Sequence, residues 1–264
     1  IPEKAELLEI KRRLLEEALP DGLETIETMK ALAGAIPQFE RETEYISLKH
    51  PDEYALYEGD IFPSDTGAIS VHKYLDVTNE FVVNHSTSKH AKYNRNSYFV
   101  GALARWNNNH AQLGEEAHAA AEAMGLKPNC YNPYMNTIAQ VVEAVHCILD
   151  SVRIIDRLME MGLKNEKPNQ TPTRYGRGIG SNEVPRGILF HDYTYDNKGN
   201  IIKANCIIPT GQNLANIDDD MMKLVPEIIN KTKEEITLNL EMLVRAYDPC
   251  ISCSVHMLEV DFIE

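Results

Sequence analysis

The 264-residue chain is short of basic residues, sparing with cysteine, and without any long apolar run. Lys plus Arg number 26 against 40 Asp plus Glu, a net charge of −14. A surface of that sign argues against DNA or an anionic membrane as the main partner. Charge or amide interrupts the apolar stretches every few residues, so no segment is expected to span a bilayer. The five cysteines (Cys130, Cys147, Cys206, Cys250 and Cys253) are an odd number in a long chain and do not make a disulfide framework. They suit a reducing compartment in which one or two thiols have a task. An initiator methionine is missing, since residue 1 is Ile, and the first twenty residues are charged and helix-like rather than a secretory leader. The expectation is a processed or trimmed chain, or part of a longer product.

What is present is ordinary for a globular protein: 43% hydrophobic and 25% charged residues, enough to build one large domain, read here as 1–264. Leu7, Leu14, Leu15 and Ala18 recur at helical spacing after Pro2, and Pro20-Asp21-Gly22 is expected to break that helix before a second one over 23–32. Residues 44–107 change texture, with Tyr, Ile, Val and Phe in short runs between Pro51, Gly59, Pro63 and Gly67, which predicts a β-rich insert. A helix is expected within 110–124 and a long one over 134–161, where Ile138, Val141, Val142, Val145, Ile148, Leu149, Val152 and Ile155 form one stripe. After a polar stretch at 163–180, strands over 188–195 and 201–208 flank Asp196-Asn197-Lys198-Gly199, a hairpin signal. Helices over 218–230 and 233–247 follow, and Asp248-Pro249 stops the last. The fold class is therefore mainly α, with a small β insert and a late β-hairpin.

Three stretches carry chemistry. In Asp248-Pro249-Cys250-Ile251-Ser252-Cys253-Ser254-Val255-His256 the two thiols, three residues apart in a turn, can converge on one metal, and two thiolates are half of a soft tetrahedral or dinuclear site. A thioredoxin-type pair requires a following helix, for which only eleven residues remain, and two inert buried cysteines are the plain alternative. Pro185-Arg186-Gly187 is a fixed bend with an arginine at its tip, able to present a guanidinium to a cavity; a solvated loop arginine is the commoner fate. The glycines at 176, 178 and 180 lead into a strand rather than a helix, which disfavours a nucleotide loop. In Cys206-Ile207-Ile208-Pro209-Thr210, Thr210 caps a helix by default or offers its hydroxyl to a ligand.

In this order, Glu-x-Pro-Arg-Gly before a hairpin, Pro-Thr before an amide-rich helix start, and Asp-Pro-Cys-x-x-Cys-x-x-His near the end resemble the large (alpha) subunit of [NiFe] hydrogenases of the cytosolic multimeric kind. Tyr98 to Arg105 and the opening helix also resemble that family, so the likeness runs along essentially the whole chain. It implies a helical-bundle core, with Cys250 a terminal nickel ligand and Cys253 a thiolate bridging nickel and an iron that carries carbon monoxide and cyanide. It further implies Arg186 over the open coordination position with Asp248 beside it, Pro209 and Thr210 against a cyanide, and His256 with the Cys206 carbonyl on a Mg²⁺ or Fe²⁺ ion. The implied partners are H2, an iron–sulfur small subunit, electron-acceptor subunits and a maturation peptidase, in the cytoplasm.

The family's first Cys-x-x-Cys and its N-terminal acidic residues have no counterpart here. The expectation is thus the C-terminal part of a longer subunit, ahead of a split gene with a separate N-terminal part of the large subunit and ahead of a degenerate paralogue without the metal site, and 257–264 is expected to be a tail removed after metal insertion. Two other readings stand beside this one: a non-catalytic assembly scaffold, and a structural zinc protein using Cys250, Cys253 and His256.

Overall fold

The computed structural model describes residues 3–164 and 175–250, which fall into two compact units. The first unit takes its described residues from 3–35, 113–127 and 138–164. Helix α1 (Lys4–Arg13) continues through a π turn (Leu14–Ala18) into α2 (Leu19–Leu32). Pro20-Asp21-Gly22 does not end the helix as expected. Pro20 falls in the first turn of α2, directly after the π turn, whose i→i+5 pattern accommodates a residue that lacks an N–H and crowds the carbonyl four positions back. A Cβ on Gly22 would stand 3.4 Å from Val145 and 3.7 Å from Ile148, so this glycine lets α2 approach residues 138–161 of helix α6 (Asn136–Met161). Along that stretch Ile138, Ala139, Val142, Val145 and Ile155 are buried, as the stripe predicts. Helix α5 (Glu115–Ala123) adds Ala117, Ala120 and Ala121 to the interior. Lys11 Nζ and Asp156 Oδ1 close an ion pair across the unit at 2.5 Å.

The second unit holds the sheets. Strand β1 (Glu44–Lys49) pairs antiparallel with β2 (Asp60–Pro63) and parallel with β5 (Tyr98–Phe99); β3 (Glu80–Phe81) pairs with β4 (His90–Ala91). A second three-stranded sheet is the antiparallel meander β6 (Arg177–Val184), β7 (Gly187–Tyr195) and β8 (Ile201–Ile207). Its core joins Ile46, Leu48, Ile61, Tyr74, Val77, Tyr98, Val100, Ile188, Phe190 and Ile207. Helices α4 (Ala102–Asn109), α7 (Pro209–Ile228) and α8 (Lys233–Ala246) belong to the same unit, and a single turn, α3 (Tyr74–Val77), supplies two of those core residues.

The predicted hairpin is β7–β8. Asp196 Oδ1 accepts from the N–H groups of Lys198 and Asn200 at 2.8 and 2.9 Å, and Gly199 takes φ +82°. Two elements differ from expectation. Strand β6 begins inside the glycine-rich stretch expected to be polar to residue 180; it is a partly exposed edge strand held by its backbone ladder to β7, so no apolar alternation announces it. Helix α7 runs unbroken from the start that Pro209-Thr210 marks, not from near 218, because its first turns bury amides (Gln212, Asn213, Asn216) where an amphipathic pattern would show apolar residues.

The β6–β7 connection is a two-residue turn, Pro185-Arg186, closed by the Val184–Gly187 pair. Gly187 has φ +130°, and a Cβ there would lie 2.7 Å from Val100 Cβ and 2.9 Å from Gly101 N. Gly187→Ala is expected to lower stability by about 2 kcal/mol or more through strain and overlap together. Urea unfolding midpoints measure this, with Gly34→Ala, whose Cβ meets nothing within 4 Å, as the near-neutral reference.

On β1, Glu44 is fully buried and its Oε1 has no hydrogen-bond partner among the described residues. Burial, followed by the charge of Asp65, pushes its carboxyl up to about 7. The folded chain then binds the extra proton between the ordinary carboxylate range and about 7, so stability falls as pH rises through that window. Glu44→Gln is expected to remove that slope, by at most about 3 kcal/mol, in urea titrations from pH 5 to 8.

Candidate metal centre

The arginine at the hairpin tip is placed by a second arginine underneath it. Arg105 on α4 donates from Nη1 to Glu183 Oε2 at 2.8 Å and to the Val184 carbonyl at 3.0 Å, and from Nη2 to the Pro185 carbonyl at 3.2 Å. Glu183 Oε1 accepts the Leu48 N–H at 2.7 Å. The two charged side chains are 1% and 0% exposed, so their attraction acts in a dry interior and holds the turn on both sides. On the far side of the turn the Arg186 carbonyl lies 3.3 Å from where a Cβ on Gly101 would be, at φ +127°. Held by that packing, the Arg186 side chain projects from the turn.

It meets the segment after α8. That helix opens with a capping box, Thr232 with Glu235, and ends at Ala246. Tyr247 is buried; its hydroxyl accepts from Asn216 Nδ2 at 2.7 Å and donates to Asp220 Oδ2 at 2.5 Å, and its ring lies 4.6 Å from that of Phe99. Burial, then the Asp220 charge, raises the Tyr247 phenol well above its ordinary range, and burial also raises Asp220 although Arg41 is bonded to it. Asp248 follows in the left-handed region at φ +50°, which asparagine and aspartate tolerate best among residues with a side chain. The Asp248 carbonyl accepts from Arg186 Nε, and its Oδ1 accepts from Nη2 at 3.2 Å. Both side chains are 39% exposed, so the pair orients the guanidinium more than it stabilises the fold.

Two residues on, the Cys250 N–H donates to Thr210 Oγ1 at 3.2 Å. Ile208 is the N-cap of α7, with Pro209 and Thr210 in the first turn, so the default capping role for Thr210 does not hold: its hydroxyl serves the cysteine segment. The Cys250 backbone thereby stands at the positive end of the α7 dipole, where anionic ligands are favoured. Cys250 is half-buried. A soft, partly covered thiol two residues from an aspartate that holds a guanidinium fits a thiolate-bound metal.

Arg186, Asp248, Cys250, Thr210 and Pro209 are thus brought together from three separate stretches. Cys253 and His256 lie outside the described residues. Cys206 sits on β8 opposite His191; its exposed thiol is 3.3 Å from the Tyr193 hydroxyl and 3.4 Å from His191 Nδ1. The positioning roles of Arg105 and Glu183, and of Tyr247, Asn216, Asp220 and Arg41, were not foreseen. The one visible signal is an arginine closing the apolar run 98–104, where a short helix has its inner face.

A family model described as nickel-dependent hydrogenase matches residues 40–256. The alpha subunit of sulfhydrogenase 1 from Pyrococcus furiosus is 34% identical over 262 residues, 98% of this chain and 60% of that protein. The alpha subunit of sulfhydrogenase 2 from the same organism is 30% identical over 189 residues, 71% of this chain and 45% of that protein. Among solved structures, an NAD+-reducing [NiFe]-hydrogenase in its H2-reduced state superposes with a TM-score of 0.81 at 22% identity, covering 96% of this chain and 60% of that one, a likeness of fold. The chain spans about 60% of the length of the first of these relatives.

Removing one charge of the buried pair strands the other. Glu183→Gln is expected to destabilise the chain by about 3–5 kcal/mol, and the double change Arg105→Met with Glu183→Leu by clearly less. A double-mutant cycle in urea measures the difference.

Proposed function

The chain belongs to the nickel-dependent hydrogenase family, and on that premise we propose that it supplies part of a nickel–iron site for the reversible oxidation of H2 to protons and electrons. The observation that carries the reading is convergence: Arg186 at a hairpin tip, Asp248 and Cys250 after α8, and Thr210 at the start of α7 are joined by direct hydrogen bonds. In this reading Cys250 and Cys253 would hold the metal pair as thiolates, with carbon monoxide and cyanide completing the iron. His256 and the Cys206 carbonyl hold a Mg²⁺ or Fe²⁺ ion. The other thiolates come from an N-terminal part of the large subunit.

When bound, the metal pair supplies a Lewis acid and a place for two electrons. The chain's own residues do the rest. Arg186, oriented by Asp248, offers a positive charge and planar N–H donors at a residue two positions before Cys250 in the same segment. Thr210 accepts from the Cys250 amide and keeps its own O–H proton to donate to a cyanide, next to Pro209. Satisfying such ligands matters because an unpaired charge in a dry pocket is costly. Three cysteines remain after Cys250 and Cys253, too few and too scattered for a cluster, so electrons leave through an iron–sulfur partner subunit toward acceptor subunits. A peptidase trims 257–264 during maturation, in the cytoplasm.

In the assembled enzyme, Cys250→Ser and Cys253→Ser are each expected to abolish nickel retention and H2 uptake. Arg186→Lys should keep the nickel and lose turnover by on the order of 100-fold, since Lys lacks the planar fork. Nickel content by atomic spectroscopy and H2 uptake read both. Wild-type uptake in either serine variant overturns the ligand assignment; stoichiometric zinc without nickel favours a structural zinc site, and no metal favours a scaffold.

A further inference from the structure

We propose that His85, His90 and Asp218 form a binding site for one divalent cation of the zinc or cobalt class. None of the three takes part in the cysteine-bearing site, and no step above uses them. His90 lies on β4 and is 3% exposed; His85 lies between β3 and β4 and is open to solvent; Asp218 projects from α7, eight residues after Thr210. The Nε2 atoms of His85 and His90 stand 3.0 and 3.1 Å from the same oxygen, Asp218 Oδ2, and the three ligand atoms all lie within 4.8 Å of one another.

The ring geometry points to a cation rather than to an ordinary hydrogen bond. The two imidazoles meet edge to face at 87° with centroids 5.6 Å apart, both Nε2 atoms lie against one carboxylate oxygen, and Phe81, 5.8 Å from His90, walls the buried ring. His90 Nδ1 is 3.4 Å from the Ser88 carbonyl. A proton on Nδ1, directed at that carbonyl, would leave the Nε2 lone pair for a ligand, the outer contact that metal-bound histidines make. A neutral imidazole has one N–H, yet both His90 nitrogens face acceptors, and the Nε2 atoms of two imidazoles stand against the same carboxylate oxygen. A single metal ion satisfies all three ligand atoms at once. Tetrahedral ligands bound at 2.0–2.1 Å lie about 3.4 Å apart, so the observed 3.0 and 3.1 Å need to widen by only a few tenths of an ångström.

Two imidazoles and one carboxylate, with no thiol, select Zn²⁺, Co²⁺ or Ni²⁺ over Mg²⁺ and Ca²⁺. The exposure of His85 provides the entry path and leaves the fourth position to water. The neighbouring Lys89 ammonium is engaged by Glu80 Oε2 at 2.8 Å. The ion clasps the 80–91 hairpin to α7, the helix whose first turn receives the Cys250 amide.

The test is a Co²⁺ titration of the chain carrying Cys250→Ser and Cys253→Ser, followed by visible absorption, so that its outcome is independent of the hydrogenase reading. One equivalent is expected, with d–d bands of nitrogen and oxygen ligation and no thiolate charge-transfer band. His85→Gln, His90→Gln and Asp218→Asn should each weaken Co²⁺ binding at least about tenfold. Added Zn²⁺ should raise the melting temperature of the parent and leave that of the His85→Gln chain unchanged. His85 is exposed, so its variant keeps the fold even if the buried one does not. Unchanged affinity in His85→Gln, a charge-transfer band in the parent, or no cobalt bound by the parent overturns the proposal.

Discussion

The buried pair of Arg105 and Glu183 is the interaction on which the rest of the second unit depends. A salt bridge shut away from water contributes little net stability, because desolvation offsets most of the attraction. It does impose direction. Arg105 spends its guanidinium protons on Glu183 and on the Val184 and Pro185 carbonyls, and Glu183 spends its second oxygen on the Leu48 amide. Strand β1, helix α4 and the β6–β7 turn are thereby fixed to one point, which an apolar contact of the same area would leave free to slide. Arg186 follows directly on the two carbonyls that Arg105 holds.

The same logic runs along α7. Asn213 exchanges two bonds with the Val100 backbone, at 2.8 and 2.9 Å, and Gln212 Nε2 donates to the Ile188 carbonyl at 2.7 Å. Asn216 Oδ1 gathers Thr43, Ser97 and Arg41, while its amide nitrogen holds Tyr247. This helix docks through directional bonds to strand ends and loops, so its rotation and register are set together. Thr210 at its first turn inherits that precision, and the Cys250 amide inherits it from Thr210.

How much of this was legible in the sequence follows from the same physics. The Asp196–Gly199 turn, the Pro185-Arg186-Gly187 bend and the Asp248-Pro249 stop were readable because local backbone chemistry decides them. The apolar stripe of α6 was readable because it packs on a hydrophobic interior. Pro209-Thr210 marked the start of α7, but the continuity of its first turns was hidden, since a buried amide looks like a surface residue until its partners are known. Strand β6 was hidden by its glycines, and the continuity of α1 into α2 by a proline that a π turn absorbs. Three motifs distant in the chain pointed to one site, and the described part of the structure joins Arg186, Asp248, Cys250 and Thr210.

The bonds that hold the Cys250 segment have a temporal corollary. Arg186 and Asp248 are 62 residues apart in the chain, and Thr210 and Cys250 are 40 apart. Loop closure of that length confers nothing until its far ends exist as structure. The meander must have turned at Arg186 and α7 must have formed its first turn before the cysteine segment has anything to dock against. The seat of the Cys250 segment is thus a non-local product, made by two stretches that lie 62 and 40 residues before the residues they hold.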